Sequence, residues 1–178
     1  MFEKKYYEAQ PVYYNGYKTN SKLEARYMVL FDSLGIEYKY EPEVFRCANG
    51  ILYRPDFELL NVKTNFPPWR RLFCEIKGAS DFQSIKIEDQ AKILTFAEDY
   101  PILVFGNLPD SVMDVFTRDV SEEQDIFALY YKYRIYHNVF FEVRDKEVVL
   151  VNKNTRSEPC YKCDLALAKA RIANFNII

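Results

Sequence analysis

The sequence is short of the side chains on which many hydrolytic and metal sites depend. Its 178 residues include a single histidine, His137, which excludes histidine-rich zinc sites, HExxH proteases and ribonuclease chemistry with paired histidines. Acid–base chemistry must therefore use carboxylates, lysine, tyrosine or metal-bound water. Apolar runs of about 18 residues are also absent, and the N-terminus has no apolar signal-peptide segment. We expect a cytoplasmic protein with no membrane partner.

Cysteine is present at four positions only. Cys47 and Cys74 fall in predicted strands, whereas Cys160 and Cys163 form a CxxC pair. A closed structural zinc site needs four ligands, so this pair would need an unusual geometry or a second subunit to complete one. Thiols stay reduced in the cytoplasm, and we expect free cysteines.

Apolar and aromatic side chains are abundant. The chain is 49% hydrophobic and 28% charged, which is typical of a soluble globular protein. At this length a single domain can bury a core without disulfides. Aromatic residues reach 17%, and this richness predicts either a tightly packed core or a surface on which bases stack.

The hydrophobic pattern up to residue 106 predicts alternating helices and strands. Ser21 and Glu24 form a capping box at the start of a helix that ends at Gly35. Asn49-Gly50 is a hairpin turn. The order of elements begins with a helix over 21–35 and two hairpin strands over 37–45 and 51–59. A third strand over 71–77, a second helix over 85–98 and a fourth strand over 101–106 follow. The second helix predicts a parallel strand pair, so the fold class is α/β (α+β) with a mixed central sheet.

The pattern after residue 110 is less regular. Residues 121–136 fit either a helix that begins at Ser121 or a strand through 126–130. A hairpin over 138–152 that turns at Arg144-Asp145-Lys146 and a helix over 162–175 follow. The chain is accordingly divided into an N-terminal arm, a core and a C-terminal extension packed on the core, over residues 1–18, 19–108 and 109–178.

The third strand carries charged side chains in an apolar setting. Its period of two places Phe73, Glu75 and Lys77 on one face and the apolar Leu72 and Ile76 on the other. An ordinary amphipathic strand with a solvated ion pair would explain this pattern. The alternative is a reactive site, in which the acid and the lysine act together.

Other polar residues favour the reactive site. Asp56 lies in the apolar second strand, where a buried carboxylate is costly unless it is paired or bound to a metal. Glu24 lies on the preceding helix. In the second helix, the spacing places Gln90 on the buried face together with Ile87, Ile93, Leu94 and Ala97. Carboxylates and a lysine suit phosphodiester hydrolysis assisted by Mg²⁺ or Mn²⁺, with a metal-bound water as nucleophile.

These residues form a recognisable arrangement. Pro55-Asp56, then Glu75-Ile76-Lys77, with Glu24 in an upstream helix, resembles the PD-(D/E)XK nuclease superfamily. The arrangement is similar to that of small phage and mobile-element nucleases, which combine the pattern Tyr-x-Pro-Asp-Phe with a Glu-x-Lys-Gly strand. The resemblance covers residues 19–108 and implies a restriction-endonuclease-like αβββαβ core.

The resemblance also implies a role for each residue. Asp56 and Glu75 would bind the metal together with the main-chain carbonyl of Ile76, and Lys77 would orient water or stabilise charge. Glu24 would be an outer metal ligand, although its capping box explains it equally well. Gln90 occupies the place of a glutamine that many members carry on the following helix. Four residues further on, Leu94 stands where some exonuclease-like members have a tyrosine.

The sequence thus predicts a metal-dependent deoxyribonuclease for phage or mobile-element DNA processing or recombination. Its partner would be DNA, and the sequence leaves open whether the DNA is branched or single-stranded and whether the protein is a homodimer. If a phage encodes the protein, its location would be the host cytoplasm. The alternatives are a non-catalytic nucleic-acid-binding or protein-interaction module on the same fold, and a structural phage protein. Residues 88–125 carry a net charge of -8 and the remainder +6, so a DNA-binding face is expected away from residues 98–125.

Overall fold

A computed structural model describes residues 9–64, 70–79, 81–108, 128–132, 134–136, 139–152 and 161–175. Within these residues the protein is a mixed α+β fold with three α-helices. The helices are α1 (Lys22–Leu34), α2 (Ile87–Phe96) and α3 (Tyr161–Ile172). The strands are β1 (Val12–Tyr14), β2 (Tyr17–Thr19), β3 (Tyr38–Tyr40), β4 (Phe45–Arg46), β5 (Leu52–Tyr53), β6 (Phe57–Leu59), β7 (Lys63–Thr64), β8 (Leu72–Ile76), β9 (Ile102–Phe105), β10 (Ala128–Tyr131), β11 (Arg134–Tyr136), β12 (Val139–Arg144) and β13 (Glu147–Asn152).

The main sheet has six strands in the order β11-β10-β9-β8-β6-β3. Strands β8 and β9 are parallel, and the other neighbours are antiparallel. The predicted parallel pair and the mixed sheet are therefore confirmed. A second sheet, β12-β13-β7, lies beside it, and β1-β2 and β4-β5 are separate two-stranded ladders.

Helix α1 begins and ends as its sequence predicts. The Ser21 side chain accepts a hydrogen bond from the backbone N–H of Glu24, and the chain leaves the helix at Gly35 with φ of 74°. A positive φ is costly for residues with a Cβ, so glycine suits this position.

The two predicted hairpin strands are each interrupted. Residues 37–45 contain β3 and the first residue of β4, and residues 51–59 contain β5 and β6. The inner strands β4 and β5 pair across the Asn49-Gly50 turn, whereas β3 and β6 pair within the main sheet. Pro55 lies at the break between β5 and β6, where a residue without an N–H does not disturb a ladder.

Strand β8 is buried on both of its faces. Leu72, Cys74 and Ile76 belong to a cluster with α1 and α3, whereas Phe73 belongs to a second cluster with α2. The predicted division of the strand into two faces is therefore confirmed. Aromatic rings fill both clusters, as in the stacking of Tyr27 on Phe105 at 5.4 Å, so much of the aromatic content forms a tight core.

Helix α2 covers the second cluster with a narrower stripe than its sequence indicates. Ile93, Phe96 and Ala97 are buried. Ile87 and Leu94 are 75% and 46% exposed, so their predicted place on the buried face is wrong. Consecutive helical positions are about 100° apart. Ile87 and Leu94 therefore lie beside the buried stripe of α2, on its solvent side.

The described part of the C-terminal extension contains the predicted hairpin and helix. Strands β12 and β13 pair around Asp145 and Lys146, whose φ values of 47° and 69° are those of a tight turn. Helix α3 contacts α1. Of the two interpretations for residues 121–136, a helix or a strand, the described residues 128–131 form a strand. Residues 121–127 lie outside the described residues. No described helix is long and apolar enough to cross a membrane.

Candidate active site

The register of β6 and β8 brings the predicted acidic residues together. Phe57 pairs with Cys74 and Glu58 with Phe73, so Asp56 lies opposite Glu75, one position beyond the paired residues. The Asp56 carboxylate accepts a hydrogen bond of 2.7 Å from the backbone N–H of Ile76. The three groups predicted as metal ligands therefore lie at one place in the sheet.

Lys77 and Glu75 form an ion pair that is largely withdrawn from water. The distance from Lys77 Nζ to Glu75 Oε1 is 2.7 Å, and Asp89 Oδ2 of α2 lies 3.6 Å from the same nitrogen. Glu75 is 4% exposed, and the Lys77 side chain is 25% exposed. The solvated surface pair that the strand pattern left open is therefore not what forms.

Two partners of this pair were missed in the sequence. Tyr53 donates a hydrogen bond of 2.6 Å to Glu75 Oε2, and Asp89 approaches Lys77. Tyr53 falls within the apolar second strand and Asp89 within the acidic residues 88–125, so neither is predicted to contact Glu75 or Lys77. The signal that could have found Tyr53 is its place in the Tyr-x-Pro-Asp pattern, three residues before Asp56.

Glu24 is buried and has several hydrogen-bond partners. Its Oε1 accepts from the Ser21 hydroxyl at 2.8 Å, and its Oε2 accepts from the Asn20 N–H at 3.1 Å and the Tyr40 hydroxyl at 2.6 Å. The Ser21 half of the capping box forms, whereas the Glu24 carboxylate accepts from the N–H of Asn20, one residue before the N-cap. A role for Glu24 as an outer metal ligand stays a prediction.

Gln90 is half-buried on α2. Its amide nitrogen donates to the carbonyl of Ile85 at 2.7 Å and to that of Gln83 at 3.2 Å. The side chain therefore joins α2 to the 3-10 turn at Phe82–Ser84 that precedes it. This contact stabilises the start of the helix that also carries Asp89.

Burial dominates the electrostatics of the site. It raises the pKa of Asp56 well above its usual value, and the nearby charges of Glu75 and Glu24 raise it further. Burial also raises the pKa of Glu75, although Lys77 opposes this. Burial lowers the pKa of Lys77, but the charge of Glu75 and hydrogen bonding to it, with the charges of Asp56 and Asp89, raise it above its ordinary value. One lysine thus faces several carboxylates, and the site attracts further positive charge.

An open groove of about 580 Å³ gives access to this site. It runs between the start of α1 and the end of β8, and its lining includes Lys22, Glu24, Ile76, Lys77 and Gly78. Two lysines at its edges suit an anionic substrate. The groove therefore connects solvent with the lysine end of the ion pair.

The ligand set at this place is small. No group of three or more histidine, cysteine, aspartate or glutamate side chains among the described residues is arranged to hold a metal ion. The predicted set has two carboxylates and relies on the Ile76 carbonyl for a third ligand, and all three are the oxygen donors that Mg²⁺ prefers. Of the CxxC pair, the Cys163 thiol donates to the carbonyl of Phe141, and Cys160 lies outside the described residues.

Comparisons with known proteins add no relative. No family model matches the chain, and neither a curated protein nor a solved structure matches it at the significance required. Any function must therefore be argued from the geometry of the site.

Proposed function

We propose that this protein is a Mg²⁺- or Mn²⁺-dependent nuclease that hydrolyses DNA phosphodiester bonds, with a restriction-endonuclease-like core over residues 19–108. Processing or recombination of phage or mobile-element DNA is the setting that its resemblance implies. The observation that carries the proposal is the placement of Asp56 opposite Glu75 at the ends of the adjacent strands β6 and β8, with Lys77 beside them at the groove. Chemistry of this kind needs no histidine.

The donor set fits a divalent cation. Asp56 and Glu75 are carboxylates whose pKa values are raised because burial is only partly offset by Lys77. A divalent cation held by these two carboxylates and the Ile76 carbonyl would offset the remaining negative charge. When bound, it supplies charge neutralisation at the phosphate and a lowered pKa for water.

The protein's own groups supply orientation and charge. Asp56 is fixed by its hydrogen bond from Ile76, and Glu75 is fixed from both sides by Lys77 and Tyr53. Lys77 remains protonated because its pKa is raised, so its Nζ can hold the attacking water or stabilise the charge that builds on the phosphate.

The test is cleavage of labelled linear, single-stranded and branched DNA with Mg²⁺, with Mn²⁺ and with EDTA. We expect the wild type to cleave at least one substrate only when metal is present, and Glu75→Ala and Lys77→Ala to be inactive. Glu147→Gln, at an exposed ion pair with Lys63, is the matched control and should cleave as the wild type does. If no substrate is cut in a metal-dependent way, the proposal fails.

A non-catalytic nucleic-acid-binding or protein-interaction module on the same fold is the second candidate. It is favoured by the closed Lys77–Glu75 pair, which satisfies both charges without a metal. On this alternative, titration calorimetry with Mn²⁺ would show no binding, and the double variant Glu75→Ala/Lys77→Ala would bind DNA as the wild type does.

A further inference from the structure

The buried hydrogen bond between Tyr53 and Glu75 controls how that carboxylate is oriented. The Tyr53 hydroxyl lies 2.6 Å from Glu75 Oε2, and Lys77 Nζ lies 2.7 Å from Oε1. Tyr53 is 7% exposed and Glu75 4%, so water cannot readily replace either partner. Each oxygen of Glu75 thus has its own donor, and the two donors together fix the plane of the carboxylate.

Tyr53 is itself held firmly. It lies on β5, where it pairs with Phe45 of β4, and its ring packs 5.0 Å from that of Phe96 on α2. At the turn of the same hairpin, the Asn49 side chain donates to the Thr95 hydroxyl of α2 at 3.2 Å. The hairpin is therefore attached to α2 at two points, and the Tyr53 hydroxyl is presented to Glu75 from a fixed frame.

We propose that Tyr53 is a positioning residue that orients Glu75 for binding a divalent cation; this inference rests on the proposed nuclease function. Without the hydroxyl, Oε2 loses its side-chain donor, and the carboxylate can turn so that both oxygens face Lys77. Lys77 then competes with the cation for both oxygens. Groups that orient metal ligands typically contribute a factor of about 10 to 100 in metal affinity.

The experiment compares the full-length wild type with Tyr53→Phe, Tyr100→Phe and Glu75→Gln. Tyr100→Phe is the matched control, because the Tyr100 ring packs against the same Phe96, at 5.1 Å. Mn²⁺ affinity is measured by titration calorimetry, and cleavage is measured as a function of Mn²⁺ concentration. We expect Tyr53→Phe to raise the Mn²⁺ dissociation constant by about 10-fold or more and Tyr100→Phe to leave it unchanged.

The shape of the metal dependence separates positioning from general damage. For Tyr53→Phe, the Mn²⁺ concentration at half-maximal rate should rise by the same factor as the dissociation constant, and the rate at saturating Mn²⁺ should return to within about threefold of the wild type. Thermal unfolding without metal checks that the variant is folded. If it is not, both titrations are repeated in sucrose, which favours the folded state, and the same rise of about 10-fold or more is expected for Tyr53→Phe.

The outcomes distinguish this inference from the proposed function. Wild-type Mn²⁺ affinity in a folded Tyr53→Phe variant, with binding lost in Glu75→Gln, overturns the role of Tyr53 and leaves the nuclease function standing. Unchanged affinity of Tyr53→Phe in sucrose has the same meaning where the variant does not fold without it. Absence of both Mn²⁺ binding and cleavage in the wild type overturns the proposed function itself.

Discussion

Glu58 and Glu75 lie on the adjacent strands β6 and β8, and both expose little surface, 6% and 4%, although Glu75 lies deeper in the protein. Each has a cationic partner, yet their pKa values move in opposite directions. The pKa of Glu58 is lowered, first by its hydrogen bonds with Arg71, whereas burial raises that of Glu75. The pair shows that burial alone does not mark a reactive acid.

The difference lies in the depth of each carboxylate and in how completely its charge is compensated. Arg71 binds Glu58 through two hydrogen bonds of 2.7 and 2.9 Å, and its guanidinium lies 4.8 Å from the Phe73 ring and 5.2 Å from that of Phe45. A planar fork of this kind matches a carboxylate and holds it. Glu75 has a single lysine and a second carboxylate, Asp56, across the strands. We infer that Glu58 stabilises the fold and that Glu75 retains capacity for a cation.

The largest effect should come from exchanging each acid for its amide. We expect Glu75→Gln to lower the metal-dependent cleavage rate by about 10³-fold, because several kcal/mol of charge stabilisation in the transition state would be lost. Glu58→Gln should keep at least about half of the wild-type rate under the same assay, since its partner is Arg71. Equal losses in the two variants would remove the distinction between these residues.

For the free energy of unfolding, the variant at Glu58 should be the damaging one and a variant at the candidate site should not. We expect Glu58→Gln to lower the free energy of unfolding by about 2 kcal/mol, because a charge-assisted hydrogen bond to Arg71 is lost. Asp56→Asn in EDTA should raise it by about 1 kcal/mol, since a carboxylate with a raised pKa is replaced by a neutral acceptor. Urea unfolding at pH 7 measures both. A loss of stability in Asp56→Asn would mean that its charge is already fully compensated.

The pH dependence of stability gives a finer distinction. Because the pKa of Glu58 is lowered, its contribution is fully present above the unfolded value of about 4.3 and disappears as pH falls through the folded-state pKa. The deficit of Glu58→Gln should therefore shrink below about pH 4. Asp56 has a raised pKa, so the advantage of Asp56→Asn should appear as pH rises above about 3.9. Free energies of unfolding measured from pH 3 to 7 in EDTA test the expected direction of change for each variant.

Glu24, the third buried glutamate of the described residues, should show the smallest effect on stability. Glutamine also serves at this position of a capping box, so Glu24→Gln should change the free energy of unfolding by less than about 1 kcal/mol. If Glu24 is an outer metal ligand, the same variant lowers the cleavage rate by about 10-fold. An unchanged rate would assign Glu24 to helix capping alone.

The elements that were predicted correctly depend on local signals. The period of two in β8 placed Phe73 and Cys74 on opposite faces, and the Ser21–Glu24 spacing identified the start of α1. These features arise from residues within a few positions of one another, where backbone geometry alone fixes the directions of side chains.

The features that were missed depend on the register between distant segments. Arg71 meets Glu58 because β6 and β8 pair at one register, and Tyr53 meets Glu75 only after the hairpin packs on α2. A shift of one residue would send each side chain to the other face. The Tyr-x-Pro-Asp pattern marks Tyr53 as a candidate, but it does not specify which carboxylate the hydroxyl will contact.

The contact between α1 and α3 sets the order in which the protein can complete its fold during synthesis. The apolar face of α1 shares a cluster with Ala166 and Ala170 of α3, and more than 120 residues separate the two helices in the chain. At about 5–20 residues per second on the ribosome, roughly 6–25 s pass between them. Asp56, Glu75 and Lys77, at the ends of β6 and β8, are therefore synthesised well before the helix that completes the cluster with α1. The core on this side of α1 is thus completed by a segment that contributes no residue to the candidate site.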